Sequence, residues 1–191
     1  MPRPKSFNRD KVVQQAMNVF WQHGYEATSI SDLTAATALK PGSLYNTFNS
    51  KHALYLEALD FYEMRVGGSL FAVLDEPISG LEAIRALFSQ LIEDALVDPR
   101  GCFMHNAIME RAACDEDVEQ RACIGKVQGA AAFRRALDRA AAAGEIAAYR
   151  NTDDVARYLM GTVYAVRTLA RTTDRREELE QVVDISLSVL V

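Results

Sequence analysis

TSISDLTAATALKPGSLYNTFNSK, residues 28–51, is the stretch whose local chemistry decides the fold. Thr28 or Ser29 can cap a short helix, and Ser29-Ile-Ser-Asp32 resembles a capping box with Asp in place of Glu. Ile30, Leu33 and Ala36 fall on one side of that helix. The pattern breaks at Thr37-Ala38-Leu39-Lys40, and Pro41 opens a second short helix where a missing N–H costs nothing. Two short helices around a tight turn, with small residues inside, make a helix-turn-helix layout. The second helix of such a pair enters a DNA major groove end-on, so its first turn needs small or polar groups, here Pro41-Gly42-Ser43. Gly42 lets backbone approach phosphate or base edges, and Ser43 can donate to either. Leu44 and Phe48, four apart, turn inward, while Tyr45 suits a phosphate and Asn46 an adenine edge. Ser50 caps the next helix, whose positive end together with Lys51 suits another phosphate.

Outward from this stretch the chain reads as helices nearly throughout. A first helix spans about Arg9 to His23, with Val12, Ala16, Val19 and Phe20 on one face and Gly24 ending it. A fourth starts at Ser50 and ends before Pro77. Ser79-Gly-Leu-Glu82 is a full capping box for a helix ending near Asp98-Pro99-Arg100-Gly101. Helices follow over 103–113, from Asp115 to Ala143-Gly144, from a Thr152-Asp-Asp cap to about Arg171, and from an Asp174-Arg-Arg-Glu177 cap onward. The fold class is all-α: a three-helix head followed by a larger helical body, about nine helices in all.

The 191 residues carry 21 Lys/Arg and 26 Asp/Glu, a net charge of −5 and an acidic balance that argues against nucleic acid. The average conceals a division. Residues 1–51 hold Arg3, Lys5, Arg9, Lys11, Lys40 and Lys51 against Asp10, Glu26 and Asp32, a net +3, which leaves −8 for the other 140. Arg3 and Lys5 suit an arm that adds nonspecific phosphate attraction. No apolar run approaches the ~20 residues of a membrane span, and MPRPKSFNRDK has no apolar core of a secretory signal. Three cysteines, Cys102, Cys114 and Cys123, suit free thiols in the cytoplasm.

The segments His23-Gly24-Tyr25, Ala27 to Ile30 and Gly42 to Lys51, in this order and spacing, resemble the TetR family of bacterial transcription regulators. Gly101-Cys102-Phe103-Met104-His105-Asn106 is similar to a segment that opens helix six in one subgroup. The resemblance implies a DNA-binding head over 1–51 and a ligand-binding and dimerisation body over 52–191. It implies a homodimeric repressor rather than an enzyme, on palindromic double-stranded operator DNA, released when a small-molecule inducer favours a spread state. Its DNA-contacting residues here would be Thr28, Ser29, Lys40, Pro41, Gly42, Ser43, Tyr45, Asn46 and Lys51. Two positions depart from the pattern. Ala38 stands where the turn usually has glycine, a left-handed position costing ~1 kcal/mol, and Pro41 stands where a Lys is frequent, which shifts a phosphate contact to Lys40.

In the body, Phe61, Met64, Leu87, Phe103, Met109, Met160 and Tyr164 suit the lining of a mostly apolar pocket, with His105 and Asn106 to orient a ligand and Arg167 to meet an anionic one. Val155, Leu159, Val163 and Val166, then Leu179, Val182, Val183, Leu187 and Leu190, form helical stripes. With Val189 and Val191 they exceed what one face hides, which points to a four-helix dimer interface, and Gly161 permits a close crossing. Cys102 and His105 offer an alternative, thiol or metal sensing. A helical ligand carrier or enzyme with a vestigial head is a further one. No phosphate loop or nucleophile elbow occurs, and Asp153-Asp154 and Asp115-Glu116-Asp117 suit helix N-termini, so no catalytic residue, cofactor or metal is expected.

Overall fold

The computed structural model describes residues 7–98, 100–146 and 151–190, so Arg3, Lys5 and Val191 lie outside the described residues. Among the described residues there are helices and turns and no strand. The head comprises α1 (Arg9–His23), α2 (Ile30–Thr37) and α3 (Pro41–Phe48). Next, α4 (Lys51–Tyr62) passes through a π-helical turn (Glu63–Gly67) into the short α5 (Gly68–Ala72). The body continues with α6 (Gly80–Val97), α7 (Phe103–Arg111), α8 (Glu116–Ala142), α9 (Thr152–Leu169) and α10 (Arg176–Leu187). Counting α4 and α5 as one interrupted rod gives nine helices among the described residues. None of them is long and apolar enough to cross a membrane.

Side chains fix most of the helix starts. The Ser29–Asp32 box is closed in both directions, and Ser50 accepts the Ala53 N–H. Three expected caps differ. Ser79 does accept from Glu82, but the carboxylate that comes to this helix end is Glu145, which takes the Ser79 hydroxyl and the Leu81 N–H. Asn151 rather than Thr152 caps α9, its side-chain oxygen accepting the Asp153 N–H at 3.0 Å. Asp174 does not cap α10, which starts after Arg175 without a side-chain cap.

Burial divides into two cores. The first joins Val12, Ala16 and Phe20 of α1 to Leu33, Leu44 and Phe48, then continues through Leu54, Tyr55 and Tyr62 of α4 to Phe103 and Val118. The second packs Leu87, Phe88, Phe133, Leu159, Val166 and Leu187 between α6, α8, α9 and α10. Each fully buried Leu or Phe contributes about 1.5–3 kcal/mol of transfer free energy. α4 therefore packs with the head, while its continuation α5 sends Leu70 into the body core. At the start of α6 the helices cross so closely that a Cβ on Gly80 would lie 2.1 Å from the Ala136 carbonyl oxygen.

The turn between α2 and α3 is built with Ala38 in the left-handed region, at φ 55° and ψ 19°. An L-residue with a Cβ is strained there, and glycine is not. Ala38→Gly is expected to raise unfolding free energy by roughly 0.4–1 kcal/mol, measured by denaturant titration; an equal loss would show that the turn tolerates Ala38 without strain.

Candidate nucleic-acid interface and inner cavity

α3 presents two unlike faces. Leu44 and Phe48 are fully buried against the head core, and Pro41, Gly42, Ser43, Tyr45 and Asn46 are exposed on the outer side. Among the described residues nothing lies within 4 Å of a Cβ built on Gly42, so the bare backbone there answers no packing need from them. Lys40 is the exposed N-cap residue of α3 and makes no side-chain cap. Lys51, the first residue of α4, holds its ammonium 4.3 Å from the centre of the Tyr25 ring, at the helix end where free N–H groups favour an anion. Arg9 braces the far end of α3: it chelates Glu57, donates to the Thr47 carbonyl and lies over Phe48.

Two residues assigned to this surface from sequence have other duties. Thr28 is 1% exposed and donates to the Gly24 carbonyl, so it braces the head from within and cannot present its hydroxyl to a duplex. Ser29 is exposed, but its hydroxyl donates to Asp32 and accepts the Asp32 N–H.

Behind this surface the head is clamped to the body at the loop following α1. Both oxygens of Glu110, on α7, accept backbone N–H groups, from Tyr25 and Glu26, at 2.9 Å each. Gly24 makes the approach possible: its φ is +79°, and a Cβ there would stand 2.9 Å from Glu110 Oε2. The neighbouring Arg111 pairs with Glu26, lies over the Tyr25 ring at 4.5 Å and donates to Asp115. Asp115 also takes His52 at 2.9 Å and caps α8. Burial alone would raise the Asp115 carboxyl, but hydrogen bonds from Arg111, His52 and the Val118 N–H outweigh it and hold the carboxyl below its usual value. That depressed value contributes stability at neutral pH that is lost as pH falls through it. His52, Asp115 and Asp117 place ligand atoms within 4.8 Å of one another, yet Asp115 already serves three donors.

Sequence reasoning placed ten residues around a pocket, and the structure separates them. Leu87 is wholly inside the body core. Phe103 packs in the aromatic cluster of the clamp, edge-on to Tyr55 and Tyr62 with centroids 5.8 Å away. Met109 is 75% exposed, and Phe61 lies in a shallow groove with Asp10, Lys11 and Arg65. Asn106 is a brace, donating to the Arg100 carbonyl and accepting from Arg171. His105 stacks on Tyr164 at 5.1 Å beside Thr168. Helical spacing identified large side chains without showing which way they turn.

A cavity of about 620 Å³ does exist, between the π turn with α5 and α8. Met64 lines it, together with Glu63, Phe71, Met104 and Ile124, which the sequence reading missed. An inner recess beside it is lined by Met160, Tyr164 and Arg167, with Tyr62 and Cys102. Burial first, then Cys102 and Glu63, push the Tyr164 hydroxyl up to about 12. The available signal was the glycines, since Gly67, Gly68, Gly125 and Gly129 fall within helical stretches, where glycine is otherwise disfavoured, and all line the cavity. The Cys102 sulfur accepts the His105 backbone N–H at 3.4 Å, while the His105 ring faces Tyr164, so thiol and imidazole do not converge. Burial pushes the Cys102 thiol up, away from the reactive thiolate.

The expected dimer-interface set also needs correction. Leu159, Val163, Val166, Leu179, Val183, Leu187 and Leu190 are buried in the chain's own core, and Val155 and Val182 are half-buried against it. The apolar groups that α9 and α10 leave outside are Tyr158, Leu169 and Ile185, the last 71% exposed.

Residues 12–58 match the family model described as bacterial regulatory proteins, tetR family, and residues 77–185 match tetracyclin repressor-like, C-terminal domain. An uncharacterized HTH-type transcriptional regulator of Bacillus subtilis, YezE, is 33% identical over the full length of both chains. The HTH-type transcriptional repressor ComR of Escherichia coli is 30% identical over 97% of this chain and 90% of its own. Among solved structures, a cysteine mutant of the TetR family transcriptional regulator CifR, complexed with 26bp double-strand operator DNA, superposes with a TM-score of 0.86. It is 32% identical over 97% of this chain and 98% of that one.

The open space at Gly42 yields a clean test. Gly42→Ala is expected to keep the fold, gaining up to about 1 kcal/mol in helix propensity, while weakening binding to operator-length DNA about tenfold or more in a gel shift. Unchanged DNA affinity in that variant would remove Gly42 from the interface.

Proposed function

The chain belongs to the tetR family of bacterial regulatory proteins and is a DNA-binding transcriptional regulator, and we propose that it works as a homodimeric repressor released from a palindromic operator by a small-molecule inducer. The observation that carries this reading is α3, whose exposed first turn is small, polar and free of any packing duty while its other face is locked into the head core. Residues 1–51 form the DNA-binding unit and 52–191 the ligand-binding and dimerisation unit, with α4 shared mechanically between them. Lys40, Pro41, Gly42, Ser43, Tyr45, Asn46 and Lys51 make the DNA contacts, and Ser29 contributes through its position at the start of α2. The place of work is the cytoplasm, where the operator is.

A net +3 per head is modest, so tight binding requires both heads at once, in successive major grooves about 34–36 Å apart. The dimer forms through the outer surfaces of α9 and α10. Tyr158, Gly161, Ala165 and Leu169 recur at helical spacing on the first, and Val182, Ile185 and Val189 on the second. The inducer occupies the cavity beside the π turn, with Met64, Met160, Tyr164 and Arg167 among its walls.

Two experiments test this. In a gel shift with DNA from upstream of its own gene, binding is expected to be sequence-preferring and to weaken steeply with salt; Tyr45→Ala should reduce it while leaving the dimer intact. Absence of sequence-preferring binding at every protein concentration would overturn the reading. Ile185→Asp is expected to give folded monomers by analytical ultracentrifugation, and a persistent dimer would move the interface elsewhere.

A further inference from the structure

The 620 Å³ cavity contains one carboxylate that has no ion-pair partner among the described residues. Its acidic lining residues are Asp60, Glu63 and Asp75, and its basic ones Arg121 and Arg135. Arg121 chelates Asp60 at 2.8 and 3.1 Å, and Arg135 chelates Asp75 at 2.8 and 2.7 Å, so these two pairs cancel. Glu63 has no hydrogen bond or ion pair among the described residues. Burial, and then the like charge of Asp60, push its carboxyl above the usual range. Arg167 lines the inner recess together with Glu63, but among the described residues the two share no hydrogen bond or ion pair.

The backbone is arranged around this group. Glu63 begins the π turn, where one extra residue per turn re-aims the side chains of α4. Its carboxylate rests against two glycines from facing helices: a Cβ on Gly67 would meet Oε2 at 2.8 Å, and one on Gly125 at 3.5 Å. Around it stand Met64, Phe71, Met104 and Ile124, adaptable and apolar. An unpaired carboxylate in such surroundings is costly, and a bound cation that also donates hydrogen bonds recovers that cost. An anion would meet Glu63 directly.

We propose that this cavity binds an amphipathic amine, an aromatic or apolar body whose protonated amine is held by the Glu63 carboxylate. The proposal rests on the regulator reading only for its consequence, release of DNA, and not for the binding itself.

The test uses the full-length protein and three compounds sharing one ring system: tryptamine, tryptophol and indoleacetate. By calorimetric titration, tryptamine is expected to bind about tenfold more tightly than the alcohol, a difference of about 1.4 kcal/mol, and indoleacetate more weakly still. Glu63→Gln, nearly isosteric, is expected to bring the amine to within about threefold of the alcohol while its melting temperature without ligand stays close to wild type. If Glu63→Gln fails to fold, the wild-type ranking alone decides. Equal binding of the three, tighter binding of indoleacetate, binding of none, or an amine preference that survives in Glu63→Gln would each overturn the proposal. A gel shift on the same samples separates the two readings. Sequence-preferring DNA binding without an amine preference sinks this inference and leaves the regulator. An amine preference at Glu63 without DNA binding does the reverse.

Discussion

The carboxylate of Glu110, bonded to two successive backbone N–H groups after α1, is the constraint on which the head's placement depends. Charge-assisted bonds to backbone are strong and directional, and these two grip the chain itself, leaving no side-chain torsion on the head side to absorb movement. Gly24 is the enabling residue, because any side chain there would displace the carboxylate. Arg111, Asp115 and His52 then tie the same loop to the starts of α4 and α8. With the aromatic cluster of Phe20, Tyr55, Tyr62 and Phe103 behind it, the joint makes the head and α7 move together.

One rod carries the two ends of the proposed mechanism. Lys51 opens α4 on the DNA side, and Glu63 begins the π turn on the cavity side, about 18 Å along a helix of ordinary rise. A ligand that pulls on Glu63 acts on the element whose other end lies beside Tyr25 and the clamp. Moving a two-state equilibrium from one extreme to the other requires about 5.5 kcal/mol of differential binding. The Asp60–Arg121 and Asp75–Arg135 bridges join the two walls of the cavity, and among the described residues the π turn between them carries the one lining carboxylate left without such a bridge.

The head was almost wholly legible in the sequence, because its determinants are local. The Ser29 box, Pro41 at the first helical position and the Ser50 cap each fix a helix start within four residues. The strained Ala38 was legible for the same reason, since the left-handed requirement belongs to the turn itself. The body was legible only as helices. Leu159 and Val166 show the spacing of a stripe, but the same spacing serves an internal core or a partner, and only packing against Phe88 and Phe133 distinguishes them. Phe103 and Met109 lie six apart on one helix, one buried in an aromatic cluster and the other in solvent, and composition rates both as pocket formers. Glu63 was invisible because nothing in its neighbourhood in sequence says that it ends up facing Gly125, 62 positions away.

Amide hydrogen exchange at Tyr25 and Glu26 in the intact protein tests the clamp most directly. Both N–H groups lie in a loop, where exchange is ordinarily fast, and among the described residues only the Glu110 carboxylate bonds them. The expected result is protection at both sites that disappears in Glu110→Gln while protection within α8 is retained. Exchange of both amides at the open-loop rate in the wild-type protein would contradict a head held rigidly to its body.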